Sequence, residues 1–244
     1  MKKNNIVISQ PMYFPWIGLF EQIRFSDIFV IYDDAQFSKG SFTNRVQIKT
    51  NTGMKWLSVP ISKLKLGQKI NEIQIDNKKN WKRSHIDFLK NTYKNHPYLQ
   101  DVLSIINHIY SNPYNTMSDL STDSIKVILE YFEIERKILF SSSMKLEYTN
   151  SDKVLEIVKL LNGNVYITGH GAKNYLNHED FEKNNIDVKY INYNLRIYPQ
   201  KFETFTPYVS ILDLIANVGK DGLEYFNSVT LNWKEFINDR NREI

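Results

Sequence analysis

The hydrophobic positions near the amino terminus form two short apolar runs with a helical pattern between them. Residues 6–9 and 27–32 have the length and composition of buried strands, and residues 18–25 place apolar side chains at helical spacing. A strand, a helix and a second strand in so few residues form a βαβ unit, whose two strands are parallel. The pattern therefore predicts an α/β fold with a parallel, Rossmann-like sheet.

The rest of the chain alternates between short strand patterns and longer helical patterns. Strands are predicted at residues 46–49, 55–59, 70–75, 164–168 and 188–191, and helices at 99–110, 120–132, 152–161, 173–177 and 211–218, with a further helix that is capped at 76–77 and ends at 93. Helical patterns dominate the middle of the chain. We therefore predict an α/β core domain of residues 1–75 and 141–244, with a mainly helical insert or subdomain at residues 76–140.

The segment after the first predicted strand has the sequence QPMYFPWIG at residues 10–18. Its prolines stiffen the chain, which lowers the entropic cost of holding a site ready, and parallel sheets bind ligands at the carboxyl ends of their strands. Gly18 permits close approach of backbone or ligand and opens a helix whose free N–H groups suit phosphate. We expect Gln10 to form a hydrogen bond and Tyr13 and Trp16 to stack on a base or sugar. The alternative is a rigid corner that seals the core.

Carboxylates follow the second predicted strand. Asp33 and Asp34 point to opposite faces if the strand continues, so one of them enters the crevice at the strand ends. That carboxylate binds ribose hydroxyls or Mg²⁺, or acts as a general base, and we assign the catalytic role to Asp34 and a binding role to Asp33. Gln36 lies close by as a further ligand of the substrate. A turn or capping role is the alternative for at least one of the two carboxylates.

A basic group follows a polar loop that contains a glycine. Asn44 and Arg45, with Lys49 nearby, suit the binding of a phosphate or carboxylate, because a guanidinium offers two parallel donors to such groups. The alternative of a surface ion pair has equal weight.

A second glycine-containing turn joins a predicted strand to a predicted helix at residues 168–173. Gly169 and Gly171 expose His170 between them, and such a turn is suited to an anion. We therefore select His170 as the acid or base among the five histidines, with a turn histidine of no chemical role as the alternative. The histidine spacings contain no metal-binding pattern, and the sequence has no phosphate-binding Walker loop.

Composition restricts the class of protein. The chain has 244 residues, 14% aromatic residues, no cysteine and a formal net charge of +4. Lack of cysteine excludes disulfides and thiolate chemistry, and the small, dispersed positive charge does not favour nucleic acid as a partner. No apolar run has the length of a membrane span or of a signal peptide. We expect a soluble cytoplasmic protein without bound metal, whose partner is a small molecule.

Several segments together resemble the WbqC-like protein family. They are QPMYFPWIG at 10–18, DIF at 27–29, DDAQF at 33–37, NR at 44–45, WLSVP at 56–60, TGHGAKNYL at 168–176 and FTPYVSILD at 205–213. Proteins of this family are typically encoded among genes for O-antigen, capsule and related glycans. The resemblance therefore implies a role in making or decorating an activated sugar.

Three functions follow from this reading. The first is an enzyme that joins an acyl or aminoacyl group to the amine of a nucleotide-linked amino sugar, with an acyl-CoA as one possible donor and His170 or Asp34 as the base. The second is an ATP- and Mg²⁺-dependent ligase or nucleotidylyltransferase, by analogy with folds that place a His-x-Gly-His signature after the first strand, although this chain lacks both histidines. The third is a non-catalytic sugar-nucleotide-binding partner. The oligomeric state does not follow from the sequence.

Overall fold

A computed structural model describes residues 4–194, 196–202 and 204–238 of the chain. Its strands are β1 (Asn5–Ser9), β2 (Ile28–Ile31), β3 (Arg45–Thr50), β4 (Gly53–Ser58), β5 (Lys137–Phe140), β6 (Val165–Thr168), β7 (Asp187–Asn192) and β8 (Val229–Asn232). Six of them form one sheet in the order β5-β2-β1-β6-β7-β8, and β3 and β4 form a separate antiparallel hairpin. The β7–β8 pair is antiparallel and the other pairs of the main sheet are parallel, which confirms the predicted α/β class with a mostly parallel sheet.

The strand order of the main sheet reverses at β1. The chain first adds β2 and β5 on one side of β1, and then returns to add β6 and β7 on the other side. The connections that follow β1 and β6 therefore diverge and leave a crevice outside the carboxyl ends of these two strands. Open α/β sheets bind their ligands at such a point.

Helices cover both faces of the main sheet. The α-helices among the described residues are α1 (Ile17–Arg24), α2 (Trp81–Thr92), α3 (Leu99–Ser111), α4 (Met117–Tyr131), α5 (Asn150–Leu160), α6 (His178–Lys183), α7 (Ile211–Val218) and α8 (Trp233–Asn238). Successive strand residues point to opposite faces, so Val7 joins a core with α1 to α4 and α7, whereas Ile6 and Ile8 join a core with α5, α6 and α8. None of these helices combines the length and hydropathy that crossing a bilayer requires.

The prediction of a strand at residues 70–75 is wrong. Ile70–Glu72 form a short 3₁₀ helix, and the residues after it make isolated bridges instead of a ladder. Ile70, Ile73 and Ile75 are all buried. Their burial gives the segment a strand-like apolar pattern although it has no neighbouring strand to pair with.

Two further boundaries differ from the sequence-based prediction. β5 lies at the end of the region predicted to be helical, because its short apolar run follows α4 without a glycine or proline to mark a new element. The helix predicted at 173–177 is a 3₁₀ helix at His170–Asn174, so the turn begins directly at the strand end. The division of the chain into a core domain and a helical insert stays a prediction.

The proline-containing segment 10–16 is fixed by contacts with distant elements. Phe14 has a φ of 41°, a conformation that costs energy for a residue with a side chain. Its N–H donates to Ser124 Oγ at 3.0 Å, and its carbonyl oxygen accepts from Ser210 Oγ at 2.8 Å. Helices α4 and α7, at which these serines lie, therefore hold the segment in place at the carboxyl end of β1.

Candidate functional site

A cavity of about 980 Å³ lies at the carboxyl ends of β1, β2 and β6. The predicted site residues that line it are Gln10, Trp16, Asp34, Gln36, Gly169, His170 and Gly171. These residues come from three separate segments of the sequence. Because the ends of parallel strands share one edge of the sheet, the fold brings these residues together.

An aromatic wall closes one side of the cavity. The ring of Trp16 lies 4.9 Å from the ring of Tyr193 and 5.5 Å from that of Tyr208, measured between centroids. Trp16 also packs flat against Gly18, where a Cβ atom would come within 2.3 Å of the indole. Gly18 is therefore buried beneath the wall, and its role is to let Trp16 occupy its place in the cavity.

An amide and a phenol form the boundary between the aromatic wall and the glycine turn. Gln22 Nε2 donates to Tyr193 Oη at 2.5 Å. A Cβ atom on Gly169 would lie 2.9 Å from that nitrogen and 3.2 Å from that hydroxyl, so a larger residue there would displace the amide from the phenol. Burial, together with the nearby Glu21 carboxylate, raises the pKa of Tyr193 above its usual range. Its hydroxyl therefore keeps its proton and can donate it to a ligand.

A buried ion pair occupies the other side of the cavity. Asp34 Oδ2 lies 2.5 Å from the Nζ atom of Lys153, and their side chains are only 9% and 7% exposed. Ser141 Oγ donates to Asp34 Oδ1 at 2.5 Å, and Lys153 lies 5.6 Å from the centroid of the Tyr32 ring. Burial and then the negative charge of Asp34 raise the pKa of Tyr32 to about 12. The carboxylate that faces the cavity is thus oriented and paired.

Asp33 faces away from the cavity. Its Oδ1 atom accepts from the Ser142 N–H at 3.0 Å, and its Oδ2 atom accepts from Ser142 Oγ at 2.6 Å. Ser141 Oγ also reaches Oδ1 at 3.2 Å. Asp33 thereby fixes the turn that follows β5. Because β2 ends at Ile31 and both carboxylates lie in a turn, the turn, and not alternation along a strand, places Asp34 at the cavity and Asp33 outside its lining.

His170 is part of the glycine turn and lies at the cavity beside the aromatic wall. Its Nε2 atom donates to the Ile191 carbonyl oxygen at 2.9 Å, and its ring lies 5.1 Å from that of Tyr193. In the neutral ring this bond places the proton on Nε2, which makes Nδ1 the acceptor nitrogen. The role of His170 as acid or base stays a prediction.

Tyr13 is fully buried and lies outside the cavity lining. Its hydroxyl bonds to the hydroxyl of Tyr110 and lies 3.1 Å from His85 Nδ1, while His85 Nε2 donates to the Ser58 carbonyl oxygen at 3.1 Å. Burial lowers the pKa of His85 to about 4, so the ring is neutral. In the segment 10–18, therefore, Trp16 lines the cavity and Tyr13 anchors the segment to α2 and α3.

The basic group of the hairpin also lies outside the cavity lining. The Arg45 guanidinium sits 4.0 Å from the centroid of the Trp56 ring and donates to the Gly40 carbonyl oxygen at 2.5 Å. Asn44 Nδ2 donates to the Val59 carbonyl oxygen at 3.0 Å. These contacts hold the hairpin together, and the substrate-binding role of both residues stays a prediction.

Lys49 is buried at a different place in the same hairpin. Its ammonium donates to Gln200 Oε1 at 2.9 Å and to the Thr204 carbonyl oxygen at 2.7 Å. These bonds tie β3 to the segment before α7, so Lys49 fixes that segment and does not line the cavity.

Several cavity residues were not predicted from the sequence: Gln22, Tyr32, Lys69, Lys153, Tyr193 and Tyr208. Lys153 carried a usable signal, because it lies four residues before Ile157 on the buried face of α5, where a charged side chain is rarely found without a partner. Tyr193 follows directly after β7, as the other site residues follow β1, β2 and β6. No group of three or more histidine, aspartate or glutamate side chains in the described ranges is arranged to hold a metal ion.

The fold and the site define an α/β protein with a ligand-sized cavity at the point where the strand order reverses. The chain belongs to the WbqC-like protein family, which it matches over residues 10–225. It is also 32% identical to a protein of Mycobacterium tuberculosis named Uncharacterized protein Rv1507c over 228 residues, which cover 92% of this chain and 97% of that protein. Comparison with the solved structures found no match.

Proposed function

We propose that this protein is a cytoplasmic enzyme of surface-polysaccharide biosynthesis that transfers an acyl or aminoacyl group to the amine of a nucleotide-linked amino sugar. The cavity between β1 and β6 carries this proposal, because it combines an aromatic wall with an oriented carboxylate. The mostly parallel sheet also supports it, because open α/β sheets bind ligands where the strand order reverses.

The cavity is large enough to hold a nucleotide-linked sugar. Its volume of about 980 Å³ is near the upper end of the range of about 300–1,000 Å³ that is usual for ligand pockets. Trp16 and Tyr208 offer ring faces to a nucleobase or to the apolar face of a sugar. Gln10 and Gln36 at the strand ends supply amide groups for hydroxyls.

The polar side of the cavity suits the chemistry of amine acylation. An amino sugar carries an ammonium group at neutral pH, and the amine must lose a proton to attack a carbonyl carbon. Asp34 attracts the ammonium and takes a proton in the attack, and His170, which also lines the cavity, is the alternative base. The Tyr193 hydroxyl lies on the same side as His170 and can orient the sugar.

Ligand binding is tested by thermal unfolding with three groups of compounds: sugar nucleotides with a free amine, acyl-CoAs, and nucleoside triphosphates with Mg²⁺. The proposal predicts that the amino-sugar nucleotides raise the melting temperature, since a ligand that binds the folded state stabilises it. Trp16→Ala should abolish the increase. Trp56→Ala is the matched control, because Trp56 is exposed on the hairpin and lies outside the cavity lining.

Turnover is tested by incubating each amino-sugar nucleotide with a mixture of acyl-CoAs and measuring the mass of the sugar nucleotide. An increase equal to one acyl group, lost in Asp34→Asn, is the expected result. Stabilisation by nucleoside triphosphates alone would instead favour a nucleotidyl-transfer or ligase reaction. Binding without any change in mass, over the whole panel of donors, would contradict catalysis and favour a non-catalytic binding protein.

A further inference from the structure

Lys153 has more hydrogen-bond donors than the protein uses. Its ammonium is buried at the cavity and carries three N–H groups. One of them donates to Asp34 Oδ2, and in the parts of the chain that the structure describes the other two have no side-chain or carbonyl acceptor. Donors that face the cavity are available to the acceptor atoms of a ligand.

Stability does not account for a lysine at this position. Lys153 lies near the amino end of α5, where the partial positive charge of the helix disfavours a cation. A buried ion pair also contributes little net stability, because desolvation of the two charges offsets their attraction. The pair with Asp34 is therefore better explained by what it binds in the cavity than by what it adds to the fold.

We propose, resting on the function proposed above, that Lys153 binds the carbonyl oxygen of the acyl group during its transfer. The nitrogen and oxygen of an amide lie about 2.2 Å apart, as follows from their bonds to the shared carbon. Asp34 Oδ2 and Lys153 Nζ lie 2.5 Å apart. The pair therefore places an acceptor atom next to a donor atom, as the N–H and the oxygen of the amide that forms require.

The reaction on this pair is balanced with an acyl thioester as donor. The sugar amine attacks the carbonyl carbon, the electron pair of the C=O bond moves to oxygen, and the Lys153 ammonium stabilises the oxyanion. Asp34 takes the proton from the nitrogen. The C=O bond then reforms, the C–S bond breaks, and the thiolate leaves and receives the proton from Asp34. The products are the N-acyl sugar and a thiol.

Isothermal titration with two probes, UDP-N-acetylglucosamine and UDP-glucose, tests this assignment. The first probe carries an N-acyl group and the second does not. Wild type should bind the N-acetyl compound at least about tenfold more tightly, the gain expected from one hydrogen bond to a charged group. Lys153→Met should remove this preference, and Lys153→Arg should restore part of it.

Lys159→Met is the matched control, since Lys159 lies on the same helix, is 42% exposed and pairs with Glu156. It should keep the full preference for the N-acetyl probe. If Lys153→Met does not fold, Lys153→Gln replaces it; because its neutral amide is a weaker donor than the ammonium, most of the preference should be lost.

The outcomes separate this assignment from the proposed function. If wild type binds both probes equally, or if the Lys153 variants keep the preference, the assignment of Lys153 is overturned while the sugar-nucleotide site stands. If neither probe binds wild type, the proposed function is overturned, and the role of Lys153 is overturned with it.

Discussion

Gly18→Ala tests whether the backbone beneath Trp16 determines the shape of the cavity. The added methyl group would lie 2.3 Å from the indole carbon Cζ2, far inside contact distance, so the ring has to move. Moving it separates Trp16 from Tyr193 and Tyr208, whose ring centroids lie 4.9 and 5.5 Å away. The substitution therefore acts on the aromatic wall itself.

The expected loss of stability follows from three contributions. Overpacking costs about 1–3 kcal/mol and the two ring contacts are worth about 0.5–1.5 kcal/mol each, whereas alanine in a helix gains about 1 kcal/mol over glycine. The net loss is on the order of 1–5 kcal/mol, which lowers the melting temperature by about 2–20 °C in a chain of this length.

Thermal unfolding and sugar-nucleotide titration measure the two effects of Gly18→Ala. Gly171→Ala is the control, because Gly171 also lines the cavity and a Cβ atom there would meet nothing within 4 Å. We expect weaker ligand binding and a lower melting temperature for Gly18→Ala, and an unchanged melting temperature for Gly171→Ala. Wild-type behaviour of Gly18→Ala in both assays would refute the packing argument.

Three further predictions concern the buried polar groups. Tyr13→Phe removes one hydroxyl but leaves Tyr110 to donate to His85, so urea unfolding should show a loss of about 1 kcal/mol in the free energy of unfolding. Ligand affinity should be unchanged in titration, and weaker binding would contradict the anchoring role of Tyr13. The pKa of His85 is about 4 in the folded state, below its value of about 6.5 in the unfolded state. The contribution of His85 to the free energy of unfolding is therefore complete above pH 6.5 and decreases as the pH falls towards 4. His85→Phe should therefore lose part of the pH dependence of unfolding over this window, by roughly 2–3 kcal/mol, and an unchanged slope would disprove a neutral buried ring. Asp33→Ala leaves the donors of Ser142 without their acceptor and should cost at least about 2 kcal/mol in urea unfolding, whereas no loss would show that the turn after β5 does not depend on Asp33.

The sequence predicts where the cavity lies better than it predicts which residues line it. The βαβ pattern at residues 6–32 and the glycine turn at 168–171 place two loops at the ends of parallel strands, and both loops line the cavity. Periodicity and turn residues are local properties, and this part of the fold depends on them.

The remaining cavity residues depend on long-range packing. Tyr13 and Trp16 are neighbours in one stiff segment, but a φ of 41° at Phe14 and its contacts with α4 and α7 send the first ring into the core and leave the second at the cavity. Lys153 reaches Asp34 only because α5 packs beside β2. Contacts between residues more than 100 positions apart leave little trace in a single sequence.

The most direct test of the central claim is a crystal structure of the protein with a bound amino-sugar nucleotide. We predict electron density for the ligand between Trp16 and the Asp34–Lys153 pair, at the carboxyl ends of β1 and β6. Density on the exposed hairpin face around Phe42 and Trp56, with the cavity filled only by water, would contradict the account.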